Sequence, residues 1–88
     1  MKWWVEVKLF YRTYKFQAEI VESTNIHERI RIIGKTSSIT LQNNRPFFVS
    51  KGLRHRRWDW EQVEGETITT RSFYETLTEE LEIYLRQL

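Results

Sequence analysis

KWWVEVKLFYRTYKFQAEI, residues 2–20, is the stretch that decides the fold. Trp3, Val5, Val7 and Leu9 fall on one side, and Lys2, Trp4, Glu6, Lys8 and Phe10 fall on the other. After a break near Arg12 and Thr13, Tyr14, Phe16, Ala18 and Ile20 alternate with Lys15, Gln17 and Glu19. A period of two is the mark of a strand with one buried face, because successive side chains leave the backbone on opposite sides. The gap between the two runs has room only for a tight connection, so the segment reads as an antiparallel hairpin.

Outward from the hairpin, Ser23-Thr24-Asn25 reads as a turn, and a third strand is expected over Arg29–Ile33, with Ile30 and Ile32 opposed to Arg29 and Arg31. Gly34 breaks it, and Ser38–Gln42 resumes with Ile39 and Leu41 on one side. Asn43-Asn44-Arg45-Pro46 has turn chemistry, since Asn tolerates positive φ and Pro cannot donate to a ladder. Phe47–Ser50 is expected to be a short strand, Lys51-Gly52 a loop, and Arg57–Val63 the last strand.

The period then changes. Phe73, Tyr74, Leu77, Leu81, Tyr84, Leu85 and Leu88 form one stripe at helical spacing, with Glu75, Glu79, Glu82 and Arg86 opposite and Ile83 off the stripe. Ser72 and Glu75 have capping-box spacing. The expected fold is α+β: an antiparallel sheet of about five or six strands, with one C-terminal amphipathic helix packed on one face. It forms a single domain over 1–88, strand-rich over 2–63 and helical over 72–88. One helix covers only part of one face, so the other is left to solvent, a second copy or a partner.

Charge divides along the chain. Residues 1–58 carry 12 Lys/Arg against 4 Asp/Glu, a formal +8, whereas 59–88 carry 2 against 8, a formal −6; together they give the net +2. Most of the aromatic residues lie in the basic part. There is no cysteine, which removes disulfides, thiolate metal sites and thiol nucleophiles. No run approaches the roughly 18 apolar residues of a membrane helix. Glu6 and Lys8 interrupt the apolar stretch that a signal peptide would need. A cytoplasmic protein without membrane attachment is expected.

Motifs for chemistry are missing. His27 and His55 lack zinc-ligand spacing, and Gly34-Lys35-Thr36 has arginine at position 29, where a phosphate loop needs its first glycine. Glu79 and Glu80 are helical neighbours that do not face each other. Neither a catalytic set, a cofactor nor a metal is expected, and the chain reads as non-enzymatic.

Two segments point to polyanions. Lys51-Gly52-Leu53-Arg54-His55-Arg56-Arg57-Trp58 places four cations before a tryptophan, which is the footprint of phosphate contact beside a stacking platform. The open sheet face would carry Trp4, Lys8, Phe10, Lys15, Arg29 and Arg31, a mixture of cations and aromatics. Trp58 and Trp60 alternate with Asp59 and Glu61 and read as core. In layout alone, strands followed by one helix are similar to the single-strand-binding PUR repeats, which place fewer strands before their helix; their motif residues are not present. The expected function is a small binding module that contacts single-stranded nucleic acid. In this reading Arg29, Arg31, Lys51, Arg54, Arg56 and Arg57 meet phosphates, and Trp4 or Phe10 stack on bases. The alternative is a protein–protein adaptor or homodimer that buries the open sheet face, with Trp4 and Phe10 as anchors.

Overall fold

Strand β1 (Lys2–Leu9) and strand β2 (Arg12–Ser23) pair from Lys2↔Glu19 to Leu9↔Arg12 in the computed structural model, which describes residues 1–53 and 56–88. Phe10 and Tyr11 alone make the turn, with φ of 52° and 63°. Phe10 is thus a turn residue and not the last residue of the strand. β3 (Glu28–Ile33), β4 (Ser38–Asn43) and β5 (Trp60–Glu64) follow, and the sheet order is β1-β2-β3-β4-β5 with every neighbour antiparallel. The Thr24 hydroxyl accepts from the backbone N–H of Ile26 and of His27 and so closes the β2–β3 turn. This is the local side-chain bonding expected of Thr in turns.

Alternation sorts the faces as the sequence implies. Val5, Val7, Ala18, Ile30, Ile32 and Leu41 are buried on one face. Helix α2 (Arg71–Leu85) crosses that face and buries Leu77, Leu81 and Leu85 against it. Trp3 stacks on Tyr84 with ring centroids 4.4 Å apart, and Phe73 meets Phe16 and Tyr14 edge-on. Each fully buried Leu or Val contributes about 1.5–3 kcal/mol, so this helix–sheet layer is the main source of stability.

Five local expectations are corrected. Arg45–Ser50 is a short helix, α1, where a strand was expected over Phe47–Ser50. Pro46 lies in its first turn, where the fixed φ of proline suits a helix start. Four apolar or small residues in a row cannot separate strand from helix by period alone. The last strand begins at Trp60 and not at Arg57. The N–H of Asp59 is taken by Asn44 Oδ1 at 2.7 Å, and Asn44 Nδ2 returns a bond of 2.9 Å to the Asp59 carboxylate. That clamp holds the approach to β5 out of the ladder.

The Ser72–Glu75 capping box does not form. Thr70 is the N-cap, the helix starts one residue earlier than expected, and Glu75 bonds Arg71 at 2.9 Å. The helix also stops at Leu85, which leaves Leu88 exposed. Glu82 is buried and not on the solvated face: it accepts from Trp60 Nε1 at 2.9 Å and pairs with Arg86. The indole bond joins the end of α2 to β5.

Candidate nucleic-acid interface

Trp4, Lys8, Lys15, Arg29 and Arg31 lie on the sheet face away from α2, because they occupy the positions between those that face the core. Register decides what surrounds them. Lys15 lies opposite Glu6 and pairs with it at 3.6 Å, and Lys2 pairs with Glu19 at 3.3 Å. A bulge between Ile20 and Glu22 brings Glu22 to Arg29, at 3.7 Å. Arg29 Nε also donates to Gln42 Oε1, whose amide donates to Glu61, while Thr40 donates to Glu64. Arg31 is flanked in register by Glu19 and Thr40.

The face therefore holds five cations (Lys2, Lys8, Lys15, Arg29 and Arg31) and five carboxylates (Glu6, Glu19, Glu22, Glu61 and Glu64). It is charge-balanced. Exposed pairs of this kind contribute about 0–1 kcal/mol each to stability, but they cancel the field that would draw a polyanion. Trp4 stays 68% exposed, and Phe10 projects from the hairpin tip and not from the sheet.

Cations and aromatics instead converge at the end of the molecule where α1 meets the C-terminus of α2. Arg45, Phe48, Leu53, Trp58, Leu85 and Arg86 are among the residues that line an open groove of about 380 Å³ there. The Arg86 guanidinium lies 4.5 Å from the centroid of the Trp58 ring and Arg45 lies 6.0 Å from it. Arg56 lies 5.8 Å from the Phe48 ring, and Lys51 lies 5.8 Å from Phe47. Contacts of this type add about 0.5–1 kcal/mol at exposed sites. They also hold the cations in place around an apolar floor.

These cations differ in how far they are neutralised. Arg45 binds the buried carboxylate of Glu28 at 2.6 Å, and Asn43 Nδ2 donates to the same carboxylate at 3.1 Å. Arg86 pairs with Glu82 and also donates to the Arg56 carbonyl. Among the described residues, Lys51, Arg56 and Arg57 have no carboxylate partner, and all three are exposed. Arg54 and His55 lie outside the described residues. Trp58 is buried, as expected, and its ring is occupied by Arg86, so it serves as the wall of the groove and is closed to a stacked base.

Sequence reading missed Arg45, Phe48 and Arg86 as members of this cluster. The Asn43-Asn44-Arg45-Pro46 run was the available signal, since Pro one or two places into a segment can open a helix. No signal in one dimension joins position 45 to position 86. Among the described residues no group of three or more His, Asp or Glu side chains could hold a metal ion, and no helix is long and apolar enough to cross a membrane. No protein-family model, no curated protein and no solved structure matches this chain.

Proposed function

We propose that this protein is a non-enzymatic binding module that takes single-stranded nucleic acid at its α1–α2 end, in the cytoplasm. The observation that carries the reading is the groove, where Arg45 and Arg86 flank Trp58 while Lys51 and Arg56 lie over the neighbouring Phe47 and Phe48 rings and Arg57 directly precedes Trp58, none of these three with a carboxylate partner among the described residues. Phosphates are drawn to clustered cations in a salt-dependent manner. The partly exposed Phe47 ring offers a surface for a base beside the Lys51 ammonium, which lies 5.8 Å from its centroid. The charge-balanced sheet face contributes less to this reading than the groove, and the acidic residues of 59–88 orient the strand toward the basic end.

The test is anisotropy of a labelled single-stranded oligonucleotide at about 50 mM and about 200 mM salt. Each phosphate contact with a single strand contributes about −0.7 to the slope of log K against log salt. Removing three by Lys51→Ala, Arg56→Ala and Arg57→Ala together is expected to flatten the slope by about 2. Binding by the wild type that is unaffected by the triple substitution would remove the groove from the mechanism. No binding at the lower salt would remove nucleic acid altogether.

A further inference from the structure

The hairpin tip is where this chain departs furthest from what local chemistry favours. Phe10 and Tyr11 both have positive φ, and they are 70% and 109% exposed. Two-residue turns of this kind take Asn and Gly, which adopt such backbones readily. A bulky residue held left-handed costs about 1–2 kcal/mol. Neither ring has an aromatic or cationic neighbour among the described residues. The fold thus keeps two strained aromatics largely exposed in the monomer.

They adjoin an open edge. β1 is the outermost strand, eight residues long with neither proline nor bulge, so its outer backbone N–H and C=O groups have no strand partner. Beside that edge runs a shallow groove toward α2, lined by Trp4, Glu6, Glu80, Ile83 and Gln87 among others. Ile83, the residue off the helical stripe, is 54% exposed there. The Trp3 indole N–H near the same edge is buried without an acceptor among the described residues.

We propose that β1 pairs antiparallel with β1 of a second copy of this chain about a two-fold axis at Val7, which joins two five-stranded sheets into one. The register follows from charge. A two-fold antiparallel pair matches residues whose numbers have a constant sum, and that sum is even so that like faces meet. A sum of 14 places Glu6 on Lys8, Val5 on Leu9, Val7 on itself and Trp4 abreast of Phe10. A sum of 12 sets Glu6 against Glu6, one of 10 sets Lys2 against Lys8, and one of 16 sets Lys8 against Lys8. Of these four, only the sum of 14 opposes unlike charges on one face and apolar residues on the other; a sum of 8 would set Lys2 on Glu6 but leaves Lys8 and the hairpin tip outside the pair. Lys8, which has no carboxylate partner within the described residues, gains one. The hairpin tip of the second copy, which begins at Phe10, then lies at the Trp4 end of the groove.

Sedimentation velocity of the full chain from about 1 μM to about 500 μM is expected to show a monomer–dimer equilibrium. Glu6→Lys or Lys8→Glu puts like charges in both symmetry-related pairs, so each variant alone should associate at least about tenfold more weakly. An equimolar mixture of the two variants places Lys against Glu in both pairs and should restore association. Phe10→Asn with Tyr11→Gly should raise the urea midpoint by relieving the turn while weakening association at least about tenfold. A fold defect cannot give that opposition of signs. A wild type that is monomeric throughout, a Lys8→Glu variant that self-associates as wild type does, or a mixture that stays monomeric would each overturn the proposal.

Discussion

Replacing Arg45 by Met tests the polar network under the groove. Glu28 is 2% exposed, and its carboxylate has two protein partners, Arg45 Nη1 at 2.6 Å and Asn43 Nδ2 at 3.1 Å. Met keeps an unbranched side chain and removes the charge, its hydrogen bond and the 6.0 Å guanidinium contact with Trp58. What remains is a buried carboxylate held by one amide. Breaking a buried pair in this way costs about 3–5 kcal/mol, out of roughly 4–13 kcal/mol for a chain of this length. With a urea m-value near 1 kcal/mol/M, the midpoint should fall by about 3 M. Fluorescence of the four tryptophans, together with far-ultraviolet circular dichroism, would follow the transition. Glu28→Gln added to Arg45→Met removes the stranded charge while retaining an acceptor for Asn43, so the double variant should recover at least half of the loss. A midpoint for Arg45→Met within about 1 M of wild type, or a double variant no more stable than the single one, would refute the view that an uncompensated buried charge sets the cost.

Two further outcomes follow from particular contacts. Gly65 has φ of +92°, and a Cβ there would lie 2.7 Å from the Ser38 carbonyl oxygen and 2.8 Å from Ile39 Cγ2. Gly65→Ala should therefore cost about 3 kcal/mol through strain and overlap, seen as a drop of roughly 12–24 °C in Tm. Burial, and secondarily the Glu61 carboxylate, push the Tyr74 hydroxyl above its ordinary value of 10.0. The neutral phenol is thus the form the fold favours, so this contribution is complete below pH 10.0 and is lost as pH rises through the raised value. Tyr74→Phe has no such ionisation. Paired urea titrations at neutral and strongly alkaline pH should show wild type losing stability relative to the variant only in alkali.

The legible parts of the fold were those written in a local period. Residues 2–8 alternate strictly, and every odd position from Trp3 to Val7 is buried, while Leu77, Leu81 and Leu85 keep the helical stripe. Segments too short to show a period went astray. Phe47–Ser50 is helical because Pro46 opens a turn, and Trp58–Asp59 leaves the ladder because Asn44 captures the Asp59 backbone donor from 15 positions away. Glu82 was misplaced for a related reason. Its helical position faces solvent in isolation, but the Trp60 indole of β5 reaches over and buries it.

The candidate site was half legible. The cations of the 51–58 segment are visible in the sequence as a cluster, and the basic residues of the strands are visible as one face. Their neighbours are not. Whether Lys15 faces Glu6 or open solvent depends on a turn of two residues, and whether Arg29 meets Glu22 depends on one bulged residue.

By itself the sequence determined the hairpin, the antiparallel sheet, the covering helix and the separation of charge along the chain. Each is a property of near neighbours, and the solvent reads it through period and composition alone. Tertiary structure alone decided which charges cancel, since strand register pairs the sheet cations with carboxylates from other strands. It alone also gathered Arg45, Arg56 and Arg86 around Trp58 and Phe48, from elements up to 41 positions apart. Coulomb and cation–π energies fall off with distance in space, and only packing turns separation along the chain into that distance.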